Sequence, residues 1–220
     1  MVHILDRVQW AEGHAADGVL PVKQERGSRT RDKLLAAGHR LIAKRDFDSM
    51  SVAEIATAAR CSVGAFYQRF RDKDAFFGAL VAHYVSEART TTLSLYSDHG
   101  GDDLIGALVL ATATRFRNHT GLLRAAIRRR MEDPAVWEPI RLHGHFAADR
   151  FIDWLAARAA RPLTSEEIVS VRFAFQVLLG TLNNAVINQP GPLDLADDEF
   201  ARQLERAFRL VLPQSLPPPR

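Results

Sequence analysis

Residues Ser51 to Lys73 read SVAEIATAARCSVGAFYQRFRDK, and their caps and spacing describe two short helices joined through a tight turn. Ser51 followed by Glu54 three residues later is a capping box, in which each side chain satisfies a free backbone N–H at the other's position. Val52, Ile55, Ala56 and Ala59 then recur at helical spacing, so one face buries while Ala53, Thr57 and Ala58 stay small and admit a neighbouring helix. The turn falls at Arg60 and Cys61. Ser62 caps a second helix, whose Phe66 and Phe70 point inward at i and i+4. That leaves Val63, Gly64, Ala65, Tyr67, Gln68 and Arg69 facing outward. The pattern is a helix-turn-helix, and duplex DNA is the first partner it suggests.

Charge points the same way. Between Lys23 and Lys73 there are 12 Lys or Arg against 6 Asp or Glu, a net +6, whereas the whole chain carries +3 and the remainder therefore −3. A polyanion is steered to the basic segment, with affinity that falls as salt rises.

The same residues resemble the DNA-binding domain of the TetR (tetracycline repressor) family. That pattern has Thr or Ser before a hydrophobic residue, an Ile-Ala pair, a short turn, Ser-x-Gly-small-aromatic-Tyr, then Phe and a Lys opening the next helix. Ser51-Val52, Ile55-Ala56, Ser62, Gly64, Phe66-Tyr67, Phe70 and Lys73 match it in order and spacing. The similarity covers roughly Thr30 to Tyr84. Arg60 departs from it, standing where the family has Gly, and a turn position with φ > 0 costs Arg more than Gly. Cys61 stands where the family has a buried small apolar residue, so a packed thiol is expected. As the chain's single cysteine it forms no internal disulfide.

Composition sets the rest. With 220 residues, 47% of them hydrophobic, the chain can bury a sizeable core in one larger or two small domains. No run approaches the ~18 apolar residues of a membrane span, and Asp6, Arg7 and Glu12 interrupt any signal-peptide core. The cytoplasm is the expected compartment.

Caps and breakers predict an all-α chain. Residues 1–27 read as a mobile N-terminal arm with a short helix near Ile4 to Trp10. Residues 28–72 hold the helix-turn-helix domain, opened by a support helix from a Thr30 cap to about Arg45, with Leu34, Leu35, Leu41 and Ile42 apolar and Phe47 just beyond. A linker helix covers 73–95. Residues 96–212 form a C-terminal helical domain for ligand binding and dimerisation. Its helices are opened by Asp102 and Asp103, by Thr120, by Asp133-Pro134 with a reset at Pro139, by a Thr164/Glu167 capping box, and near Asp197. Residues 213–220, with four prolines, read as a disordered tail.

Site residues follow from DNA chemistry. Val63 and Ala65 suit thymine methyls, and Gly64 lets the backbone approach. Gln68 has two options, adenine or phosphate; Tyr67 reads as a phosphate anchor, as its counterpart is in the resembling family. Ser51, Ser62, Arg60 and Lys73 are further candidates, and Arg29 and Arg31 suit an arm along the backbone or into the minor groove. The resemblance also implies a homodimer through the last two long helices, here the stripes Phe175, Leu179, Leu182, Val186 and Phe200, Leu204, Phe208, Val211. It implies a small-molecule ligand as well, for which Phe116, Trp137, Phe146, Phe151, Trp154 and Phe173 are candidate walls. The expected function is a TetR-like repressor that binds a palindromic operator and is released by that ligand. A ligand-independent DNA-binding protein and a helical enzyme or carrier are the alternatives. No cofactor or metal is expected: His143 and His145, two apart on a helix, point to nearly opposite faces.

Overall fold

A computed structural model describes residues 25–98 and 103–215. The expected arm up to residue 24, its short helix near Ile4, Asp102 and the end of the tail lie outside the described residues. Among those described the chain is helical, with nine α-helices: α1 (Glu25–Ile42), α2 (Val52–Ala58), α3 (Val63–Tyr67), α4 (Lys73–Asp98), α5 (Leu104–Asn118), α6 (Thr120–Arg129), α7 (Glu138–Ala159), α8 (Ser165–Asn188) and α9 (Asp198–Val211). The chain divides into two compact units, Met1–Tyr84 and Val85–Arg220, with the boundary inside α4.

Aromatic packing organises the N-terminal unit. Phe66 and Phe70 are completely buried, 5.3 Å apart, and both meet Phe76 of α4, at 5.3 and 5.0 Å. Phe47 joins from the loop after α1, 4.8 Å from Phe77. A Cβ at Gly38 would lie 2.6 Å from the Phe76 ring, so the close approach of α1 and α4 depends on glycine there. Leu34, Leu35 and Ile42 are buried as the periodicity predicts; Leu41 is half-buried. Thr30 is no cap: α1 is already helical at Glu25, so Thr30 lies inside it.

α8 is central to the second unit, packing against α5, α6, α7 and α9. The Thr164/Glu167 capping box is formed, and Arg161 grips the Glu167 carboxylate through two hydrogen bonds of 2.9 and 2.8 Å. The Ser215 hydroxyl also donates to Glu167, at 2.8 Å, tying the end of the described chain to the start of α8. With Arg161, the Thr164 N–H and Ser215 all on one carboxylate, Glu167 is held well below the usual carboxylate range. At the other end of α8 the Arg124 guanidinium donates twice to the Val186 carbonyl, at 3.2 and 3.0 Å, and satisfies a terminal acceptor.

One expected cap and one expected helix differ. Thr120 does not cap α6; its hydroxyl donates back to Phe116 and Arg117 carbonyls, and His119 occupies the cap position with no side-chain capping bond to the helix. Asp133-Pro134 opens a single 3-10 turn, Pro134–Val136, after which α7 begins at Glu138 with Pro139 in its first turn.

The expected dimer stripes are corrected more deeply. Phe175, Leu182, Val186, Leu204 and Phe208 are buried within the single chain, and Leu179, Phe200 and Val211 are partly covered. Phe151, Phe175 and Phe208 form a mutual edge-to-face cluster with centroids 5.3–5.8 Å apart. α8 is apolar around most of its circumference, and a period of 3.6 marks an apolar face without saying whether it meets this chain or another.

Candidate nucleic-acid interface

The capping box at Ser51 is complete. Its Oγ accepts from the Glu54 N–H at 3.2 Å, while its own N–H and hydroxyl both donate to Glu54 Oε2 at 2.7 Å. Arg45 pairs with the same carboxylate at 2.7 Å. The Ser51 N–H first, then Arg45 and the Ser51 hydroxyl, hold the Glu54 carboxyl down to about 2. The sequence offered Ser51 as a phosphate ligand; in the structure its hydroxyl already serves the helix.

Ser62 likewise caps α3, accepting from the Ala65 N–H at 3.1 Å. Between the two helices Arg60 adopts φ 56°, the left-handed region that the sequence associates with glycine. Cys61 is only part-buried, its Sγ near the Ala59 carbonyl at 3.4 Å, rather than packed inside as expected.

α3 presents most of what the pattern predicts, with Arg69, expected outward, only half-exposed. Val63 is 42% and Tyr67 50% exposed, Ser62, Gly64 and Gln68 are exposed, and Ala65 is half-buried. A Cβ at Gly64 would meet nothing closer than the Ser62 Oγ at 3.8 Å. The protein's own packing therefore leaves room for a side chain there.

Lys73 differs from a free phosphate ligand. Its Nζ donates to the Asp48 carbonyl at 2.9 Å and lies 4.9 Å from the Phe47 ring centroid, so it fastens α4 to the loop before α2. Arg29 is exposed and Arg31 half-buried on α1. Arg60 shares an open groove with Lys33, Ala36, Arg40, Ala58 and Ala59, and the Arg40 guanidinium donates to the Ala58 carbonyl at 3.2 Å. Lys33 and Arg40 were missed in the sequence, although their i, i+7 spacing on α1 puts both on one face.

The six candidate pocket walls do not converge. Phe151 and Trp154 stack at 5.5 Å within the core cluster, Phe116 is buried, Trp137 follows the 3-10 turn, and Phe173 stands 52% exposed. Phe146 packs with charged and polar side chains of both α4 and α7, whereas Trp154 has Arg158 and Trp137 has Arg130 over its ring. His143 is largely buried, whereas the exposed His145 lies 3.0 Å from Arg141. Among the described residues no three His, Cys, Asp or Glu side chains are grouped to hold a metal ion, and no helix is long and apolar enough to cross a membrane.

Comparison with known proteins places this geometry. Residues 34–80, which contain α2, α3 and the packing that supports them, match the family described as bacterial regulatory proteins, tetR family. Over those residues the chain is of TetR type. It is 36% identical over 92 residues to the HTH-type transcriptional repressor NemR of Escherichia coli K12, a match over 41% of this chain and 46% of that protein. The chain thus spans about half the length of the relative it matches. The TetR-like fold extends further: a transcriptional regulator from Rhodococcus sp. Rha1 superposes with a TM-score of 0.65 at 19% identity, covering 84% of this chain and 97% of that one. A TetR-family regulator from Mesorhizobium loti gives 0.61 at 19%, covering 86% and 97%.

Proposed function

We propose that this protein is a TetR-family transcriptional repressor that binds a palindromic operator as a homodimer and is released by a small molecule bound in its C-terminal unit. The observation that carries the DNA reading is α3, which turns Val63, Gly64, Tyr67 and Gln68 outward while Phe66 and Phe70 anchor it. Val63 and Ala65 meet thymine methyls, Gln68 reads adenine or holds a phosphate, and Tyr67 anchors to phosphate. Arg29, Arg31 and Arg60, joined by Lys33 and Arg40, add positive charge beside the motif.

Dimerisation uses a different stripe from the one the sequence suggests. Val169, Phe173 and Ile187, at 66, 52 and 47% exposure, follow one line along α8 with Gly180 between them, and Leu210 of α9 is 68% exposed. An exposed apolar line on a helix suits a second copy, and two-fold symmetry would carry two recognition helices to half-sites about 34 Å apart. Selection of binding sites from random duplexes tests the reading. Enrichment of a two-fold symmetric sequence, bound by protein of dimer mass, is expected; recovery of no sequence above background would sink it.

A further inference from the structure

Within the C-terminal unit, α4 and α7 meet along a seam that combines buried polar atoms with uncompensated positive charge. The Arg89 guanidinium lies 4.2 Å from the centroid of the Phe146 ring, and the His143 ring is 6.3 Å from the same ring. His143 Nδ1 is buried without a hydrogen-bond partner, as is Tyr96 Oη two turns along α4 from Arg89. Buried polar atoms are nearly always partnered, so two orphans on one seam are unusual.

The charges explain what is missing. Arg150, 5.9 Å from Phe146, is answered by Asp153 at 2.6 Å. Arg89 meets no carboxylate among the described residues. Arg115 of α5 and Arg89 both act on His143 and disfavour its protonated form. A guanidinium half-buried beside an aromatic face and a neutral imidazole is costly until an anion joins it. Arg89 sets the charge required at one, the Phe146 ring calls for an apolar or aromatic body, and Tyr96 offers an O–H about 10 Å away along the helix, at 1.5 Å per residue.

We propose that the seam formed by Arg89, His143, Phe146 and Tyr96 binds an organic carboxylate, its head on Arg89, its body on Phe146 and a polar far end on Tyr96. This rests on the reading of the C-terminal unit as a ligand sensor and names the chemistry it senses. Nothing in it depends on the six aromatic walls acting together, since only Phe146 takes part.

The test is calorimetry on the full chain with 4-hydroxybenzoate, 4-hydroxyphenylacetate, 4-hydroxycinnamate and octanoate, each paired with its uncharged amide. At least one acid is expected to bind ten-fold or more tightly than its amide. Arg89→Gln should weaken that acid at least ten-fold, Arg89→Lys less, and Tyr96→Phe should weaken only the hydroxylated acids. No binding by any acid, equal binding of acid and amide, or full affinity in a folded Arg89→Gln protein overturns the proposal. If Arg89→Gln fails to fold by circular dichroism, the acid and amide pairs on the unaltered protein still decide. Operator affinity measured alongside separates the two readings: an acid that binds through Arg89 yet leaves operator affinity unchanged upholds the carboxylate site and overturns the sensing role. Amides that bind and release operator, with acids inert, do the reverse.

Discussion

Arg60 holds φ 56° at the turn between α2 and α3, a conformation that costs a side-chain-bearing residue about 1 kcal/mol relative to glycine. Arg60→Gly is therefore expected to raise stability by roughly 0.5–1 kcal/mol in urea unfolding, while weakening binding to specific and random duplexes by similar factors as one cation leaves the groove shared with Lys33 and Arg40. A loss confined to one sequence would mean that Arg60 reads bases. His143 makes a second prediction at this scale. Burial, then Arg115 and Arg89, hold its pKa down to about 4 from 6.5. Below pH 6.5 the unfolded chain takes up a proton that the folded chain refuses until about pH 4. The stability His143 contributes is thus present above pH 6.5 and is lost as pH falls toward 4, by at most about 3 kcal/mol. His143→Gln should flatten unfolding free energy across that window, and an unchanged slope would show that the imidazole is not held neutral.

Among the elements, α8 carries the proposed contact with a second copy. Phe173 and Phe208 are both large apolar residues, but Phe173 is 52% exposed on α8 and Phe208 1% exposed on α9, against Phe151 and Phe175. Phe173→Asp is expected to leave a folded protein of monomer mass, because the charge sits in water once the copies separate. Phe208→Asp puts a charge into the chain's own core and should cost several kcal/mol, losing the fold itself. Light scattering and circular dichroism on the pair distinguish them; a folded dimer from Phe173→Asp would place the interface elsewhere. The contrast also shows where sequence reading stops. Caps and turns are local, and so Ser51/Glu54, Ser62 and Thr164/Glu167 were legible from residue type and spacing. The outward face of α3 was legible for the same reason, with Phe66 and Phe70 marking its inner side. Whether Phe208 or Phe173 faces a partner depends on which helices surround α8 and α9, and Lys73's strap to Asp48 spans 25 residues. Neither leaves a periodic trace. The orphaned His143 and Tyr96 were invisible likewise, since their setting is made by helices distant in sequence.

At the scale of the whole molecule, α4 runs unbroken from Lys73 to Asp98 through the boundary between the two units. A ligand in the C-terminal unit can shift operator affinity only by preferring one conformation of the chain, and linkage then requires operator to shift ligand affinity by the same factor. If α4 carries that preference as a rigid rod, breaking it near the boundary should abolish the coupling while sparing the two binding events. Ser86 is exposed and lies two residues beyond Tyr84, so replacing it disturbs no packed side chain. Ser86→Pro removes one helical N–H bond and clashes with the preceding turn, at a cost of about 3 kcal/mol in a helix interior, whereas Ser86→Ala leaves the rod intact. The expected result is that Ser86→Pro binds operator and ligand separately with affinities near those of Ser86→Ala, yet operator no longer changes ligand affinity and ligand no longer releases operator. Titrations of each ligand with and without the other give both factors. They must be equal in every variant, which checks the measurement itself. A Ser86→Pro protein that keeps both affinities and the full coupling factor would show that the two units communicate without a continuous α4, and the rod would have to be abandoned.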